Sequence, residues 1–503
     1  MTEQAPRPNL WRNPLSLVGA TVAVVALLTI AFLLLLEAVS ATAPPPYADL
    51  VIFLFLPAVI MGGLSLALAG WWWSRRRWLR TGVAWAVRWP VLDLNEPTVR
   101  RRVAIWAAGL VGFLFVSAFG SFQAYEATES TAFCGAVCHS VMGPQYTAYR
   151  HSPHARVDCV KCHVGPGFDW HVRSKLTGVR QLYALLTGTV SRPIPVPIHN
   201  LRPARDTCEG CHWPEKHFAY KLRRYTYFLA DEANTRWELD LAIHVGGGEP
   251  GTPEAGGIHW HMRVENKVEY VASDPERKTI PWVRSTDPVH GTAVLYKAED
   301  AEAQPPPDAH WRLMDCLDCH NRPAHRFLSP RDAVNAALAG GQLDPSLPSL
   351  KAISVDLLTQ EYDSSAAAQA AIAAGLPSFY AEKFPQLART RSDAIAAAAR
   401  TLQLIYRRNF FPHMKVRWDV YADHSSHLLS PGCMRCHDGK HRSASGQTIN
   451  SECRSCHLVL AQGPPEQKQF SHVGAGLDFE HPADVGEDWR ESPCWECHSG
   501  AAP

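Results

Sequence analysis

All 14 cysteines of the chain fall into seven close pairs, and a histidine directly follows each pair. Six pairs have the spacing Cys-x-x-Cys-His, and the first pair has one additional residue between its cysteines. The seven motifs are Cys134, Cys138 and His139; Cys159, Cys162 and His163; Cys208, Cys211 and His212; Cys316, Cys319 and His320; Cys433, Cys436 and His437; Cys453, Cys456 and His457; and Cys494, Cys497 and His498. In such a motif the two thiols attach covalently to haem, and the histidine becomes the proximal iron ligand. The sequence therefore predicts seven covalently bound haem c groups.

Three other uses of paired cysteines explain this pattern less well. Structural zinc sites are built from Cys-x-x-Cys pairs, but they do not require a histidine after every second cysteine. Disulfide frameworks are typical of small secreted domains, and iron–sulfur clusters take four thiolates without a repeated histidine. Covalent haem attachment is expected outside the cytoplasm, because free thiols there are otherwise at risk of disulfide formation.

Three apolar runs near the N-terminus are each long enough to cross a hydrocarbon core of about 30 Å. They cover residues 15–36, 51–73 and 103–121. The loop between the second and third runs contains eight arginines, whereas the connection after the first run has no Lys or Arg. Because basic loops stay on the cytoplasmic side, the sequence predicts a membrane domain over 1–122 with three transmembrane helices and a cytoplasmic N-terminus. All seven motifs would then lie in the periplasm, on the outer side of a bacterial inner membrane.

Beyond the membrane domain the predicted fold class is a multihaem cytochrome c, mostly α-helical, with little regular structure around packed haems that form most of the core. Four motifs fall in a tetrahaem domain, 123–330, and three fall in a C-terminal trihaem domain, 413–503. Alternating segments such as 258–264, bounded by glycines, predict a small antiparallel sheet inserted at about 225–305. Residues 331–412 lack cysteine and are rich in alanine, which predicts a helical segment.

Several short stretches carry a resemblance to a known family. A span leads directly into the first motif at 133–142, Ser-Pro-His at 152–154 precedes the second motif, and the stretch 175–178 and His325 complete the pattern. Over about 103–330 the chain resembles the NapC/NirT family of membrane-anchored quinol dehydrogenases. With three spans and three further haems, the whole chain is similar to the inner-membrane heptahaem cytochromes of the ImcH type. The resemblance implies a cytochrome that takes electrons from membrane quinol and passes them to periplasmic carriers.

The resemblance also implies residues for a quinol site and for the first haem. Lys175 matches the family lysine that would orient the quinol headgroup. The acidic residue that follows it in the family is best matched by Gln181, so the proton acceptor is open. Asp169, Glu126 and Glu129 are nearby candidates, and Asp169 is the one assigned. Some relatives ligate the first haem through a methionine just after the motif, which leaves Met142 and His139 as alternatives.

The remaining histidines supply candidate second ligands, because low-spin electron-transfer haems have two strong axial ligands. Of the 24 histidines, seven belong to the motifs and 17 remain. Those close to a motif, or in stretches similar to the related heptahaem chains, are His154, His217, His325, His427, His441 and His481, with His259 and His472 as reserves.

These observations predict an electron-transfer protein of anaerobic respiration. The 503-residue chain has 49 Lys and Arg against 48 Asp and Glu, so its charge gives no argument for a nucleic acid partner. Quinol is the abundant two-electron carrier of the lipid phase, which predicts a quinol dehydrogenase of the quinol:cytochrome c type. Its expected partners are membrane quinol, the lipid bilayer, and periplasmic c-type cytochromes or a periplasmic reductase. The alternatives are a passive electron-relay subunit of a larger membrane complex and a terminal reductase of a small nitrogen or sulfur oxyanion.

Overall fold

The chain divides into two compact units. The computed structural model describes residues 9–39, 55–83, 93–137, 139–165, 168–198, 202–212, 219–246, 257–262, 266–287, 290–472, 474–490 and 492–501. One unit is Met1–Ala127 with Pro166–Lys175, and the other is Thr128–Gly165 with Leu176–Pro503. The domain boundaries expected near 330 and 412 stay predictions.

Small residues allow two helices of the first unit to approach closely. Helix α1 is Pro14–Val39 and helix α2 is Leu56–Thr81. A Cβ atom added at Gly19 would lie 2.4 Å from the carbonyl oxygen of Gly63, so neither backbone could keep its position. The Ser16 hydroxyl also donates to the carbonyl of Ala67 at 2.7 Å. Close backbone approach and interhelical hydrogen bonds of this kind are typical of membrane helices.

A third long helix, α3, is Pro97–Glu129. Within the described residues, two helical stretches are long and apolar enough to cross a membrane by length and composition, Pro14–Leu34 and Leu56–Thr81. Large apolar side chains of α3, such as Trp106 and Phe113, are exposed. The crossing of a membrane by 103–121 stays a prediction, and the start of the second predicted span, 51–54, lies outside the described residues.

The second unit begins with short helical elements. A π-helical turn at Phe133–Val137 is followed by α4 (His139–Arg150) and α5 (Cys159–His163). Helix α6 is Phe168–Leu186, of which the residues up to Lys175 belong to the first unit, and α7 is Ala204–Cys208.

Two antiparallel sheets replace the single small sheet that the sequence predicts. The strands are β1 Tyr220–Phe228, β2 Arg236–His244, β3 Lys267–Val271, β4 Trp282–Asp287, β5 Thr292–Lys297, β6 Arg312–Leu313, β7 Arg442–Ser443, β8 His457–Gly463 and β9 Gln469–Phe470. The first sheet has the order β1-β2-β8-β9, and the second has the order β6-β3-β4-β5-β7. Strands β7, β8 and β9 come from the expected trihaem domain, and Ile243 of β2 pairs with His457 of β8. The β-rich region is therefore not a separate insert, because its sheets are completed by C-terminal strands.

The segment 258–264, predicted as a strand, contains a 3₁₀ turn at Trp260–Met262 instead. The amides of Ile258 and His259 donate to the carbonyls of His244, the last residue of β2, and of Val245. These bonds start a turn rather than a ladder, so the alternation of apolar and polar residues does not mark a strand here. Residues 263–265 lie outside the described part of the chain.

The alanine-rich segment has a side-chain core of its own. Its helices are α8 Pro330–Ala339, α9 Leu350–Thr359, α10 Ser365–Lys383, α11 Pro385–Thr390 and α12 Ser392–Asn409. Ser329 and Ser364 cap α8 and α10 by accepting hydrogen bonds from the amides of Asp332 and Ala367. Leu358, Ile372, Leu376 and Leu402 are fully buried in this core. The expectation that haems form most of the core does not hold for this segment.

Candidate haem sites

The Cys-x-x-Cys-His motifs form tight turns. The amide of the motif histidine donates to the carbonyl of the first cysteine in four motifs, with N–O distances of 2.7 Å for His212, 2.8 Å for His320, 3.1 Å for His437 and 2.9 Å for His498. Another motif forms α5 as a whole. Such a turn brings the histidine back beside the first cysteine, as attachment of one haem to all three residues requires.

In the part of the chain whose side chains the structure describes, six motif histidines face a second histidine. The pairs, with the distances between ring centres, are His154 and His212 at 6.0 Å, His163 and His325 at 6.0 Å, His259 and His320 at 6.3 Å, His261 and His437 at 5.8 Å, His427 and His457 at 6.2 Å, and His481 and His498 at 6.0 Å. Two imidazoles on one iron, each bonded at about 2 Å, have ring centres roughly 6 Å apart. The spacing of all six pairs therefore fits bis-histidine haem ligation.

Hydrogen bonds to Nδ1 leave Nε2 for iron in five of these histidines. In each, Nδ1 lies within hydrogen-bonding distance of a backbone carbonyl oxygen: His154 with Pro323 at 3.1 Å, His259 with Val245 at 3.0 Å, His261 with Ile258 at 3.2 Å, His325 with Gln145 at 3.1 Å and His437 with Asn450 at 2.6 Å. A carbonyl can only accept, so Nδ1 carries the proton and Nε2 keeps its lone pair. Nδ1 of His481 lies near both the carbonyl oxygen and the amide of Ala483, at 2.8 and 3.3 Å, so these contacts do not select its tautomer.

Burial lowers the pKa of seven candidate ligands and so favours the neutral form that iron ligation requires. Burial lowers the pKa of His261 to about 4, with a smaller contribution from His437. Burial likewise lowers the pKa of His325 to about 4, with a contribution from His163. The pKa values of His163, His320, His427, His457 and His498 are lowered chiefly by burial as well.

His261 is a candidate ligand that sequence reasoning missed, and His259 moves from a reserve position to a full candidate. The two lie two residues apart on the turn at Trp260–Met262, and they face the motif histidines of the fourth and fifth sites. The signal in the sequence is the pair of histidines that flank Trp260, although the same alternation of residues also predicts a strand.

His441 is unsuited to the ligand role predicted for it. Its Nδ1 lies 2.9 Å from Oδ1 of Asp438, and its Nε2 lies 2.7 Å from the carbonyl oxygen of Ile280. Burial opposes protonation, yet the hydrogen bonds to Asp438 and Ile280 outweigh it and raise the pKa of His441. A ring with both nitrogens bonded to oxygen acceptors favours the charged form, which cannot bind iron, so His261 takes its place as the candidate.

The structure describes the other predicted ligands only in part. His217 and Cys138 lie outside the described residues, and the side chain of His139 is likewise outside the described part of the chain. His472 is exposed. Met142 lies in α4 and is partly buried. The choice between His139 and Met142 at the first site stays a prediction.

A buried carboxylate fixes the fourth motif. Asp318, between the two cysteines of that motif, accepts a hydrogen bond from the Tyr270 hydroxyl at 2.6 Å and from Nε of Arg312 at 2.9 Å. Arg277 forms a salt bridge with the same oxygen atom, and Asp315 completes a capping box with Asp318. Partners from distant segments satisfy this charge, so the turn is tied to the second sheet.

Neighbouring motifs are close in space in the same order as in the sequence. Cys134 lowers the pKa of Cys159, and Cys316 raises the pKa of Cys208. Cysteines of successive motifs also raise each other's pKa electrostatically: Cys211 that of Cys162, Cys433 that of Cys319, Cys456 that of Cys433, and Cys453 that of Cys494. These influences run from each site to the next in sequence order.

The predicted quinol-site residues share helix α6. Gln181 is exposed there, whereas the side chains of Asp169 and Lys175 lie outside the described part of the chain. Large apolar side chains recur at intervals of three or four on this helix and are more than half exposed: Leu176, Val179, Leu182, Tyr183 and Leu186. This spacing gives α6 an exposed apolar face.

The alternative uses of the cysteines find no support in the described residues. The described cysteines form no disulfide. No group of three or more His, Cys, Asp or Glu side chains in the described ranges could hold a bare metal ion.

Comparison with known proteins gives two relatives and one family. Residues 98–202 match the N-terminal region of the NapC/NirT cytochrome c family. The chain is 41% identical over 514 aligned positions to the cytochrome c-type protein ImcH of Geobacter sulfurreducens, covering 100% of this chain and 98% of that protein. It is 29% identical over 124 positions to the cytochrome c-type protein NrfH of Wolinella succinogenes, covering 24% of this chain and 68% of that protein. No solved structure matches the chain significantly.

Proposed function

Because the chain belongs to the NapC/NirT cytochrome c family and resembles ImcH over its whole length, we propose that it oxidises membrane quinol and passes the electrons through seven haems to a periplasmic acceptor. Membership of the family implies covalently bound haem c and a role in electron transfer. The number of haems, the electron donor and the acceptor are parts of the proposal.

The six facing histidine pairs carry the proposal. Bis-histidine ligation leaves no open position for a substrate at six haems, so it favours electron transfer over a terminal reductase. When bound, the haems supply one-electron redox chemistry. The residues of the chain hold their irons, exclude water and keep neighbouring sites close together.

We assign entry of electrons to the first haem and helix α6. An exposed apolar face on α6, between Leu176 and Leu186, suits a helix that lies in the membrane interface. Lys175 would orient the quinol headgroup, Gln181 would supply a neutral hydrogen bond, and Asp169 would receive a proton. Oxidation of one quinol releases two electrons and two protons, so proton acceptors are needed beside the haem.

We assign exit of electrons to the seventh site. Both of its attachment cysteines, Cys494 and Cys497, are exposed. A periplasmic c-type cytochrome or reductase could approach a haem held there, and the succession of cysteine interactions ends at this motif. The same scheme places the three N-terminal helices in the inner membrane and all haems in the periplasm.

The quinol site is tested with purified, haem-loaded protein in detergent. Lys175→Ala and Gln181→Leu should each slow haem reduction by a menaquinol or ubiquinol analogue about tenfold or more, while reduction by dithionite and the haem content stay unchanged. Arg180→Ala is the matched control, because Arg180 is an exposed basic residue on the same helix. Equal effects of Lys175→Ala and Arg180→Ala would mean that both residues only contact lipid phosphates. Unchanged rates in all three variants would favour a passive relay subunit.

A further inference from the structure

The fourth and fifth motifs are in direct contact through residues that lie between their cysteines. Arg435 lies between the two cysteines of the fifth motif, and Asp318 lies between those of the fourth. Nη2 of Arg435 donates to the backbone carbonyl oxygen of Asp318 at 2.5 Å. This bond spans 117 positions of the sequence and joins the four N-terminal motifs to the three C-terminal motifs.

Three carbonyl oxygens hold the guanidinium of Arg435. Besides the bond to Asp318, its Nε donates to the carbonyl of Gly432 at 2.7 Å, and its Nη1 donates to the carbonyl of Arg277 at 2.8 Å. Arg435 is only 9% exposed. Because the planar guanidinium fixes the directions of its donors, these three bonds define the position of the fifth motif against the fourth.

Arg277 supports the same junction from the loop between β3 and β4. Its carbonyl accepts the bond from Arg435, and its guanidinium forms a salt bridge with the Asp318 carboxylate. Tyr270 and Arg312 bind that carboxylate as well. The bond between Arg435 and Asp318 therefore belongs to a network through which the second sheet supports both motifs.

The candidate second ligands of the two sites are also joined. His259 faces His320 of the fourth motif, and His261 faces His437 of the fifth. Two residues of fully extended chain span at most about 7 Å, so the backbones of His259 and His261 stay within that distance. The fourth and fifth sites are thus linked twice, through the turn at Trp260–Met262 and through Arg435.

We propose that Arg435 is a positioning residue that sets the separation across which electrons pass between the fourth and fifth haems, an inference that rests on the proposed relay. Both thiols of a motif attach to one haem, and the residues between them lie at the attachment edge of that haem. Contact between Arg435 and Asp318 would therefore bring two attachment edges together. The step is transfer of one electron, in which the fourth haem is oxidised and the fifth is reduced, and no bond is made or broken.

The test compares the haems before this junction with those after it. Haem-loaded, fully oxidised protein is mixed with a menaquinol analogue, frozen at successive times and measured by electron paramagnetic resonance. The low-spin signals lost in His259→Ala and His261→Ala identify the fourth and fifth haems. In Arg435→Met the fourth haem should be reduced at the wild-type rate. Reduction of the fifth should slow about tenfold or more, since a misplacement of about 1 Å is enough to cost such a factor.

Arg435→Lys separates geometry from charge and is the less disruptive of the two variants. Lysine keeps the positive charge, so the equilibrium potentials of both haems should stay at their wild-type values. It lacks the planar fork that bonds three carbonyl oxygens, so the fifth haem should still be reduced more slowly than in the wild type. A wild-type rate in this variant would overturn the positioning role, because the charge alone would then suffice.

Arg454→Met is the matched control. Arg454 also lies between the cysteines of a motif, the sixth, but its side chain is 58% exposed and pairs with the exposed Asp478. This variant should leave reduction of the fifth haem unchanged, and slowing equal to that in Arg435→Met would overturn the inference. Failure of the proposed function is distinguishable, because the quinol analogue would then reduce no haem of the wild type. A light-activated one-electron donor would in that case replace quinol in the same comparison.

Discussion

An imidazole serves as an axial ligand only when it is neutral and has one nitrogen free, and these two conditions separate His261 from His441 at the residue scale. Burial lowers the pKa of His261 to about 4, and a carbonyl occupies only its Nδ1. His441 is equally enclosed, but Asp438 and Ile280 occupy both of its nitrogens. The hydrogen bonds of the imidazole ring therefore indicate an iron ligand better than proximity to a motif in the sequence does.

These two residues form a matched pair of variants. His261→Ala should convert one haem, the fifth, from low spin to high spin, because its iron loses the sixth ligand. His441→Ala should leave all haems low spin and instead cost about 1–3 kcal/mol of unfolding free energy, because it leaves the Ile280 carbonyl without its partner. Optical and electron paramagnetic resonance spectra of the purified variants distinguish these results. High-spin haem in His441→Ala, with none in His261→Ala, would restore the ligand predicted from the sequence.

At the scale of elements, local patterns could be predicted from the sequence and long-range pairings could not. The seven motifs and the apolar runs are local, because their chemistry or length is contained in one short segment. The partners of His437 and β2 come from distant parts of the chain, and no local spacing specifies them. The turn at Trp260–Met262 is an example. His259 and His261 alternate with apolar residues as in a strand, but they face the motif histidines of two different sites.

The alanine-rich helices should stabilise the second unit through their own side-chain core, independently of the haems. Leu376→Ala removes a fully buried side chain of α10 and should cost about 2–5 kcal/mol of unfolding free energy. Glu382→Ala, on an exposed position of the same helix, should change it by less than about 0.5 kcal/mol. Denaturant titration monitored by circular dichroism, at unchanged haem content, measures both. Equal unfolding free energies of the two variants would mean that haem packing, and not this side-chain core, determines the stability of the alanine-rich segment.

At the scale of the whole molecule, the proposed scheme requires the arginine-rich loop and the haem motifs to lie on opposite sides of the membrane. Eight arginines between 75 and 102 make that loop the strongest determinant of orientation. Reporter fusions within 75–102 should therefore be active only in the cytoplasm, and fusions after residue 130 only in the periplasm. Periplasmic activity of a fusion in the loop would reverse the orientation of the anchor. Activity of both fusions in the same compartment would mean that α3 does not cross the membrane.

The most direct test of quinol oxidation coupled to a seven-haem relay is anaerobic titration of the purified, fully oxidised protein with a menaquinol analogue. The haem content is fixed beforehand by pyridine haemochrome and intact mass. A low-potential quinol in excess should reduce the haems, with up to seven electrons taken up per chain. Haem reduction by dithionite but by neither a menaquinol nor a ubiquinol analogue would contradict the proposed function.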